Sequence, residues 1–259
     1  MLISKPTKAH VLVGCLVYAF LYIPLILLIV FAFNRSRIGM HWLGFSLEWY
    51  RTLWDDTELI DATINSLYIA VIASLVSIVL GTLSGIALSK YKLSYLKCLI
   101  WSPLAAPELL IGVSLLLFYL LINFSLGLYS ILFAHIAFCT SFVSIAVNIT
   151  MLSIDPNILD AARDLGANLT KVFFTILLPL LLPGIVAGGL MAFTLSIDDF
   201  VITFFTAGSG MNTLPLVIYA MLKTGVTPEI NAASTLIIVA TLVLLGISFR
   251  LSKTIFRSF

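Results

Sequence analysis

Long apolar segments separated by short polar stretches dominate the pattern of this chain. Six such segments lie at residues 11–33, 63–88, 98–122, 129–152, 180–197 and 232–249. A helix that crosses a bilayer needs about 20 apolar residues, so each segment predicts a membrane-spanning α-helix. The first segment is too long for the core of a signal peptide, and we interpret it as an uncleaved first span.

A further apolar stretch at residues 201–219 is interrupted by Gly208, Gly210 and Pro215. Because glycine and proline break regular helices, we interpret it as a broken, partly re-entrant segment between the last two spans. A seventh full span is the alternative interpretation.

The composition indicates a chain that lies mostly within the bilayer. Of its 259 residues, 61% are hydrophobic and 10% are charged, whereas a soluble domain is about 25% charged. The net charge of +2 gives no argument for nucleic-acid binding, and the three cysteines are too far apart for a metal or disulfide pattern. We therefore expect an all-α membrane protein with a single transmembrane domain over residues 1–259 and no metal site.

The distribution of basic residues predicts that both termini lie on the cytoplasmic side. In this orientation ten of the 14 lysines and arginines are inside: Lys5, Lys8, Lys90, Lys92, Lys97, Arg163, Lys171, Arg250, Lys253 and Arg257. The four outside are Arg35, Arg37, Arg51 and Lys223. Such an excess on the inner side is the usual topology rule. In the first outer loop, Trp42, Trp49 and Trp54 are interpreted as an interfacial belt, with substrate contact as the alternative.

Small residues recur every four positions in two of the predicted spans. The second span carries Ala73, Ser77, Gly81, Gly85 and Ser89, and the fifth carries Gly184, Gly188, Ala192 and Ser196. In lipid, small residues on one helix face let two backbones approach closely. We predict that both stripes are helix-packing faces and not binding sites.

The predicted inner loop at residues 153–179 contains a short helix of its own. Asp155 is a typical N-cap and Pro156 suits the first helical position, while Gly166 is placed to end the helix after Leu165. Leu159, Ala162 and Gly166 would then offer a small apolar surface to a soluble partner. An amphipathic connector without a partner is the alternative.

The same loop carries a family resemblance. Asp160-Ala161-Ala162, three residues, Gly166, nine residues and Ile176-Leu177-Leu178-Pro179 resemble the EAA motif of ABC-importer permeases, with Asp160 in place of glutamate. The resemblance implies a six-helix type I ABC-importer permease fold of the MetI-like kind. It also implies that the loop couples to an ATPase through these residues: Asp160, Ala161, Ala162, Gly166, Ala167 and Asn168.

Shorter matches resemble the spermidine/putrescine permeases within that superfamily. They lie at residues 21–24, 160–167, 193–200, 214–219 and 225–232, and at the pair His135 and Cys139. This resemblance implies a bacterial inner-membrane complex with a second permease chain, an ATPase dimer and a periplasmic polyamine-binding protein. The chain has no Walker A motif, so we expect ATP and Mg²⁺ to bind the ATPase, and neither a cofactor nor catalysis in this chain.

Acidic residues within the predicted spans give an independent indication of the substrate. Charged groups at bilayer depth are costly and persist mainly where they meet a partner or a water-filled route. Three qualify: Glu108, which follows helix-bending prolines at positions 103 and 107, and Asp198 and Asp199 at the end of the fifth span. Without a lysine or arginine well inside any span, they suit a substrate with several ammonium groups. Aromatic residues such as Phe193 and Tyr219 could add cation–π attraction.

Each of these residues also has a structural interpretation. Glu108 could be a carboxyl group bonded to a neighbouring helix, and the two aspartates could cap a helix or form salt bridges. His135 is more readily a hydrogen-bonded packing residue than a ligand. Three other functions remain open as well: an ABC permease for another small solute, an ion-coupled secondary carrier, and an intramembrane enzyme. The residues do not distinguish putrescine from spermidine.

Overall fold

The computed structural model of the protein describes residues 8–36, 41–91, 94–224 and 228–257. Within them the chain is helical, and the only β-pairing is an isolated antiparallel bridge between Asn34 and Phe45. The predicted all-α membrane class is confirmed. Lys5, Arg37, Lys92 and residues 225–227, which entered the topology and family predictions, lie outside the described residues.

Four helices of the described chain are long and apolar enough to cross a membrane, or five if one bent pair counts as a span. They are α1 (Lys8–Phe31), α3 (Thr57–Tyr91), α6 (Leu128–Ser153) and the continuous helix over residues 169–198. The bent pair is α4 (Ser94–Ala105) and α5 (Glu108–Leu121), which meet at 110°. The sixth predicted span lies within α12 (Pro228–Arg257).

The helix over residues 169–198 is not α-helical throughout. It begins as α8 (Leu169–Val172), passes through a π-helical turn at Phe173–Leu177, and continues as α9 (Leu178–Asp198). A π turn inside an α-helix is rare and often marks a functional position. Here it lies at the end of the predicted coupling loop, shortly before the predicted membrane span.

The chain forms two compact units. The first comprises Met1–Ile60 and Ile218–Ala240 and includes α1 and α2 (Glu48–Asp55). In it, Trp49 is 2% exposed and its indole N–H donates a 2.7 Å hydrogen bond to the carbonyl oxygen of Asn34. Its placement in an interfacial belt is therefore wrong, because a buried indole with a satisfied N–H packs as a core residue. Trp42 and Trp54 are exposed.

The second unit comprises Asp61–Val217 and Thr241–Phe259, and its core is built around α6. Both stripes of small residues pack on this helix. A methyl group at Gly81 of α3 would lie 2.5 Å from Cβ of Val143, and one at Gly188 of α9 would lie 2.9 Å from Cα of the same valine. The predicted packing faces are confirmed, because only small residues permit so close an approach.

The stretch predicted to be broken is indeed interrupted. It consists of α10 (Val201–Thr206), a loop over residues 207–213, and α11 (Leu214–Thr224). Gly208 and Gly210 in the loop have φ angles of 68° and 91°, which side-chain-bearing residues rarely adopt. A seventh continuous span is excluded, and α10 packs against α5 and α6 in the second unit.

Candidate functional site

The three predicted carboxylates line one cavity of about 320 Å³ in the second unit. Glu108 is the first residue of α5, Asp198 is the last residue of α9, and Asp199 follows it. Pro107 lies in the break before α5, where the chain turns by 110°. The cavity therefore forms where two helices end, and the bend predicted from the prolines is confirmed.

Two of these carboxylates have no partner within the described part of the chain. Glu108 and Asp198 are exposed in the isolated chain, and neither side chain makes a hydrogen bond or ion pair with any residue that the structure describes. Among the described residues, no lysine or arginine lines the cavity. The arrangement leaves two anionic groups available to a cation that enters the cavity.

Asp199 has a different environment, because its side chain is only 6% exposed. Its Oδ2 atom accepts hydrogen bonds from the backbone N–H of Thr203 at 2.8 Å and from the Thr203 hydroxyl at 2.7 Å. Its Oδ1 atom accepts from the backbone N–H of Ile202 at 3.3 Å. Asp199 thus caps the N-terminus of α10, as one of its two structural interpretations anticipated.

His135 of α6 is 1% exposed and completes this network. Its Nδ1 atom is 2.7 Å from the Ser196 hydroxyl, and its Nε2 atom is 3.0 Å from Thr203 Oγ1 and 3.3 Å from Asp199 Oδ2. The interpretation of His135 as a hydrogen-bonded packing residue is confirmed. Sequence reasoning missed Thr203, although an aspartate four positions before a threonine at a helix start is a recognisable capping pattern.

The two aromatic residues do not join the carboxylates in this cavity. Phe193 lies in α9 but is not among the lining residues, and Tyr219 lies in the first unit. The Lys223 ammonium there is 4.8 Å from the centre of the Tyr219 ring, a cation–π contact within the chain itself. Their roles on a substrate route stay predictions.

The predicted docking helix is α7 (Pro156–Asp164). The Asp155 side chain accepts from the backbone N–H of Asn157 at 3.0 Å, so the predicted N-cap is confirmed. Gly166 has a φ of 82°, and the Ala167 N–H donates to the Ala162 carbonyl at 3.1 Å, which is the hydrogen bond of a glycine-ended helix. The Asn168 side chain in turn accepts from the Lys171 N–H at 2.8 Å and caps α8.

The apolar surface of this loop differs from the predicted one. Ala162 is buried and Leu159 packs against the core of the second unit. They face inward because the amphipathic helix turns its apolar side toward its own bundle. The exposed large apolar side chains of the loop are instead Ile158, Leu165, Leu169 and Phe174, and Leu165 is 88% exposed. Asp160, Ala161, Gly166 and Asn168 are exposed, so a partner could reach them.

A second cavity of about 760 Å³ lies beside this loop. Its lining includes Lys90 at the end of α3, Phe174 in the π turn, and Asp160 and Arg163 of α7. The latter two form an exposed pair whose nearest nitrogen and oxygen are 3.7 Å apart. Exposed pairs of this kind contribute little to stability, so both charges are available to another chain.

Comparison with known proteins extends these observations. Residues 73–258 match the family described as "Binding-protein-dependent transport system inner membrane component". The spermidine/putrescine transport system permease protein PotC of Haemophilus influenzae is 40% identical over 235 residues, covering 90% of this chain and 91% of that protein. The putrescine transport system permease protein PotI of Escherichia coli (strain K12) is 37% identical, covering 85% and 82%.

Solved structures agree on the fold. A chain of a bacterial alginate ABC transporter, in complex with alginate pentasaccharide-bound periplasmic protein, superposes with a TM-score of 0.73 at 18% identity, covering 95% of this chain and 94% of that one. A chain of the MetNI methionine ABC transporter in an inward-facing conformation gives 0.64 at 16% identity, covering 79% and 98%. The present chain therefore belongs to the binding-protein-dependent transport system inner membrane components, and it is a permease subunit of an ABC importer and not an enzyme.

Proposed function

We propose that this permease imports polyamines, the spermidine/putrescine class of substrate. The cavity at the ends of α5 and α9 is the observation that carries the proposal. It offers two carboxylates that have no partner among the residues the structure describes, Glu108 and Asp198, with a third, Asp199, in its wall. A linear cation with ammonium groups at both ends complements two separated anionic groups, whereas an anionic or apolar solute does not.

The carboxylates in the cavity suit release of the substrate as well as its binding. Two unit charges 4 Å apart attract by only about 1 kcal/mol in bulk water, and more strongly where water is partly excluded. A route must nevertheless release its substrate, so several weak stations serve better than one strong site. Exposed carboxylates that share the cation between them meet this requirement. The names of the PotC and PotI relatives support the same substrate class.

A permease of this family works with a second permease, an ATPase and a periplasmic binding protein. For this chain we propose a PotB-type second permease, a PotA-type ATPase and a PotD-type periplasmic binding protein. ATP and Mg²⁺ would bind only to the ATPase dimer, and this chain would carry no cofactor. The loop over residues 153–179 would dock on the ATPase, with Leu165 and Leu169 as its apolar contacts and Asp160 and Arg163 as its charged ones.

Uptake into proteoliposomes tests the proposal. The assembled complex is loaded with ATP on the ATPase side, and the binding protein and labelled putrescine or spermidine are added on the other. We expect accumulation that requires ATP and the binding protein and that persists when ionophores collapse ion gradients. ATP-dependent uptake of another solute, with none of either polyamine, would contradict the substrate assignment. Uptake that follows an ion gradient without ATP would instead favour a secondary carrier.

A further inference from the structure

We infer that Asp199 is a positioning residue held by His135 and Thr203, and that Glu108 and Asp198 are the carboxylates of this cavity that bind ammonium groups. The inference rests on the proposed function, because it assigns different roles to residues of the proposed polyamine route. Its basis is the hydrogen-bonding capacity of each carboxylate.

Both carboxylate oxygens of Asp199 already accept hydrogen bonds from the protein. A carboxylate has about four lone-pair positions. Asp199 accepts from the Ile202 N–H, the Thr203 N–H and the Thr203 hydroxyl, and His135 Nε2 is 3.3 Å from its Oδ2 atom. Oδ2 receives three of these four contacts and Oδ1 receives one, so an ammonium group would have to approach a carboxylate that is 6% exposed and already bonded at both oxygens. Asp198 and Glu108 have no such competitors among the described residues.

The network favours one tautomer of His135. The Thr203 hydroxyl has one proton and donates it to Asp199 at 2.7 Å. With that proton on the carboxylate side, Thr203 Oγ1 is the acceptor toward His135 Nε2 at 3.0 Å, and we infer the tautomer in which Nε2 carries the hydrogen. The same nitrogen is 3.3 Å from Asp199 Oδ2, and the Ser196 hydroxyl is 2.7 Å from the other ring nitrogen. In this tautomer His135 places a hydrogen-bond donor beside Asp199, and both ring nitrogens have a partner.

The network determines where Asp198 lies. It joins three elements: His135 belongs to α6, Ser196 to α9 and Thr203 to α10. At Asp199 the backbone leaves the helix with φ −67° and ψ 121°. The two adjacent carboxylates therefore separate, with Asp199 buried under α10 and Asp198 left exposed at the cavity. Holding Asp199 in place holds Asp198 where a cation can reach it.

A double-mutant cycle tests the inference in the assembled complex. His135→Leu removes the donor and leaves the buried Asp199 charge without it, which should lower uptake at matched amounts of complex by about tenfold or more. Adding Asp199→Asn removes that charge but keeps an N-capping side chain. We expect the double variant to recover at least about a third of normal uptake, since the two residues act as one unit. If Asp199 binds the polyamine itself, the second substitution lowers uptake further, and the inference is overturned.

Two matched variants separate positioning from simple packing. His135→Gln can place an amide N–H near the position of Nε2, whereas His135→Asn places one near Nδ1 and cannot reach Asp199. We expect Gln to retain most uptake and Asn to lose it; both introduce the same amide group, and they differ in reach and in one methylene of volume. Asp198→Asn added to His135→Leu serves as the control and should not restore uptake. Equal loss in the Gln and Asn variants, or recovery with Asp198→Asn, would overturn the inference.

Thermal stability of the purified complex does not depend on transport. It therefore tests the positioning role of Asp199 separately from the proposed polyamine import. The coupling between His135 and Asp199 should appear there as well, with Asp199→Asn restoring part of the melting temperature that His135→Leu lowers. If the unmodified complex transports no polyamine, the proposed function is wrong. If the effects of His135→Leu and Asp199→Asn on the melting temperature are then simply additive, the coupling between the two residues is wrong too. Non-additive stability effects in that case would support Asp199 as a positioning residue for whichever cation the cavity takes.

Discussion

Asp198 and Asp199 are neighbours in the chain but meet different surroundings. The Asp199 side chain is 6% exposed and bonded to α10, whereas Asp198 is exposed beside the cavity and has no partner among the described residues. The same side chain thus has a structural role at Asp199, whereas at Asp198 it is available to a ligand. The consequence for experiment is that the two aspartates should not respond alike.

The available carboxylates should determine polyamine transport. Asp198→Asn and Glu108→Gln each remove one charge without changing the size of the side chain, and each should lower polyamine uptake by about tenfold, the equivalent of about 1.4 kcal/mol. The measurement is uptake of labelled polyamine at matched complex levels, with basal ATPase activity recorded alongside.

Asp55→Asn supplies the control for these two variants. Asp55 is an exposed aspartate at the end of α2 and does not line the cavity. We expect it to leave uptake within twofold of normal, as surface substitutions usually do. Full uptake in both Asp198→Asn and Glu108→Gln would remove these carboxylates from the route.

For individual residues, the sequence predicted which carboxylates would lie together but not which hydrogen-bond donors each of them would have. Charge at bilayer depth was enough to select Glu108, Asp198 and Asp199, and all three line one cavity. The division between them depends on the Thr203 and His135 donors, which come from two other helices. Which donor reaches which oxygen is a property of tertiary packing, and no periodicity along one helix reveals it.

The helical elements of the loop depend on one backbone angle. Gly166 has a φ of 82°, yet apart from its two chain neighbours no atom of the described residues lies within 4 Å of the position that a Cβ would occupy. The constraint at Gly166 is therefore conformational within this chain. A bulky residue there would strain the turn between α7 and α8 before it touched any partner. In our proposal the same side chain would also obstruct docking on the ATPase, so a loss of transport in such a variant has two separate causes.

A pair of substitutions at Gly166 separates these two causes. Asn tolerates left-handed angles, whereas β-branched Val does not, and the left-handed conformation costs an ordinary residue about 1–2 kcal/mol. We expect Gly166→Val to lower transport severalfold with normal membrane insertion, and Gly166→Asn to stay near normal if strain is the cause. Equal loss in both variants would show that the partner requires the absence of a side chain. ATP-dependent uptake and ATPase co-purification are the two measurements.

The close packing of α9 on α6 gives a second prediction at the level of elements. Gly188→Val would bring its Cβ to 2.9 Å from the Val143 backbone, so the helices must move apart. Overpacking of this kind costs about 1–3 kcal/mol. We expect less folded protein and a lower melting temperature in detergent. Gly14→Val is the control, because nothing lies within 4 Å of that site; equal effects of the two substitutions would contradict the packing assignment.

Element boundaries were predicted well where local chemistry determines them. Asp155, Pro156 and Gly166 bound α7 as expected, because caps and glycine turns act within a few residues. The direction of the helix was not predictable in the same way: Leu159 and Ala162 face the core, and Leu165 is exposed beyond the end of α7. A short amphipathic helix has one apolar face, and its own bundle competes with any partner for it.

At the scale of the whole molecule, the importer family implies that transport depends on a cycle shared among several chains. In our proposal, a loaded binding protein delivers the polyamine, ATP binding closes the ATPase dimer, and the loop over residues 153–179 transmits that motion. The carboxylate cavity would then be exposed to the two sides of the membrane in turn. Affinity for the substrate would lie mainly in the binding protein, since the cavity has only partly hydrated carboxylates to offer.

This division of labour predicts how ATPase activity should respond. Polyamine added alone, at any concentration, should leave the ATPase rate of the reconstituted complex within about twofold of its basal value. Polyamine-loaded binding protein should raise the rate by about tenfold, because it stabilises a different state of the permeases, and a differential affinity of 1.4 kcal/mol suffices for that factor. Full stimulation by free polyamine would contradict the hand-over scheme.

The π-helical turn at Phe173–Leu177 has a geometric consequence for this transmission. Such a turn contains one residue more than an α-helical turn, and one residue corresponds to about 100° of rotation around the helix axis. The nine residues between Gly166 and Ile176 run into this turn, and the widened turn takes up its extra residue without rotating the loop far around the span. A chain lacking one of residues 173–175 would therefore close a regular α-helix with Leu165 at a similar azimuth. A residue removed from the α-helical part of the span would instead turn Leu165 by about 100°, where an unchanged partner would meet the wrong face of the helix.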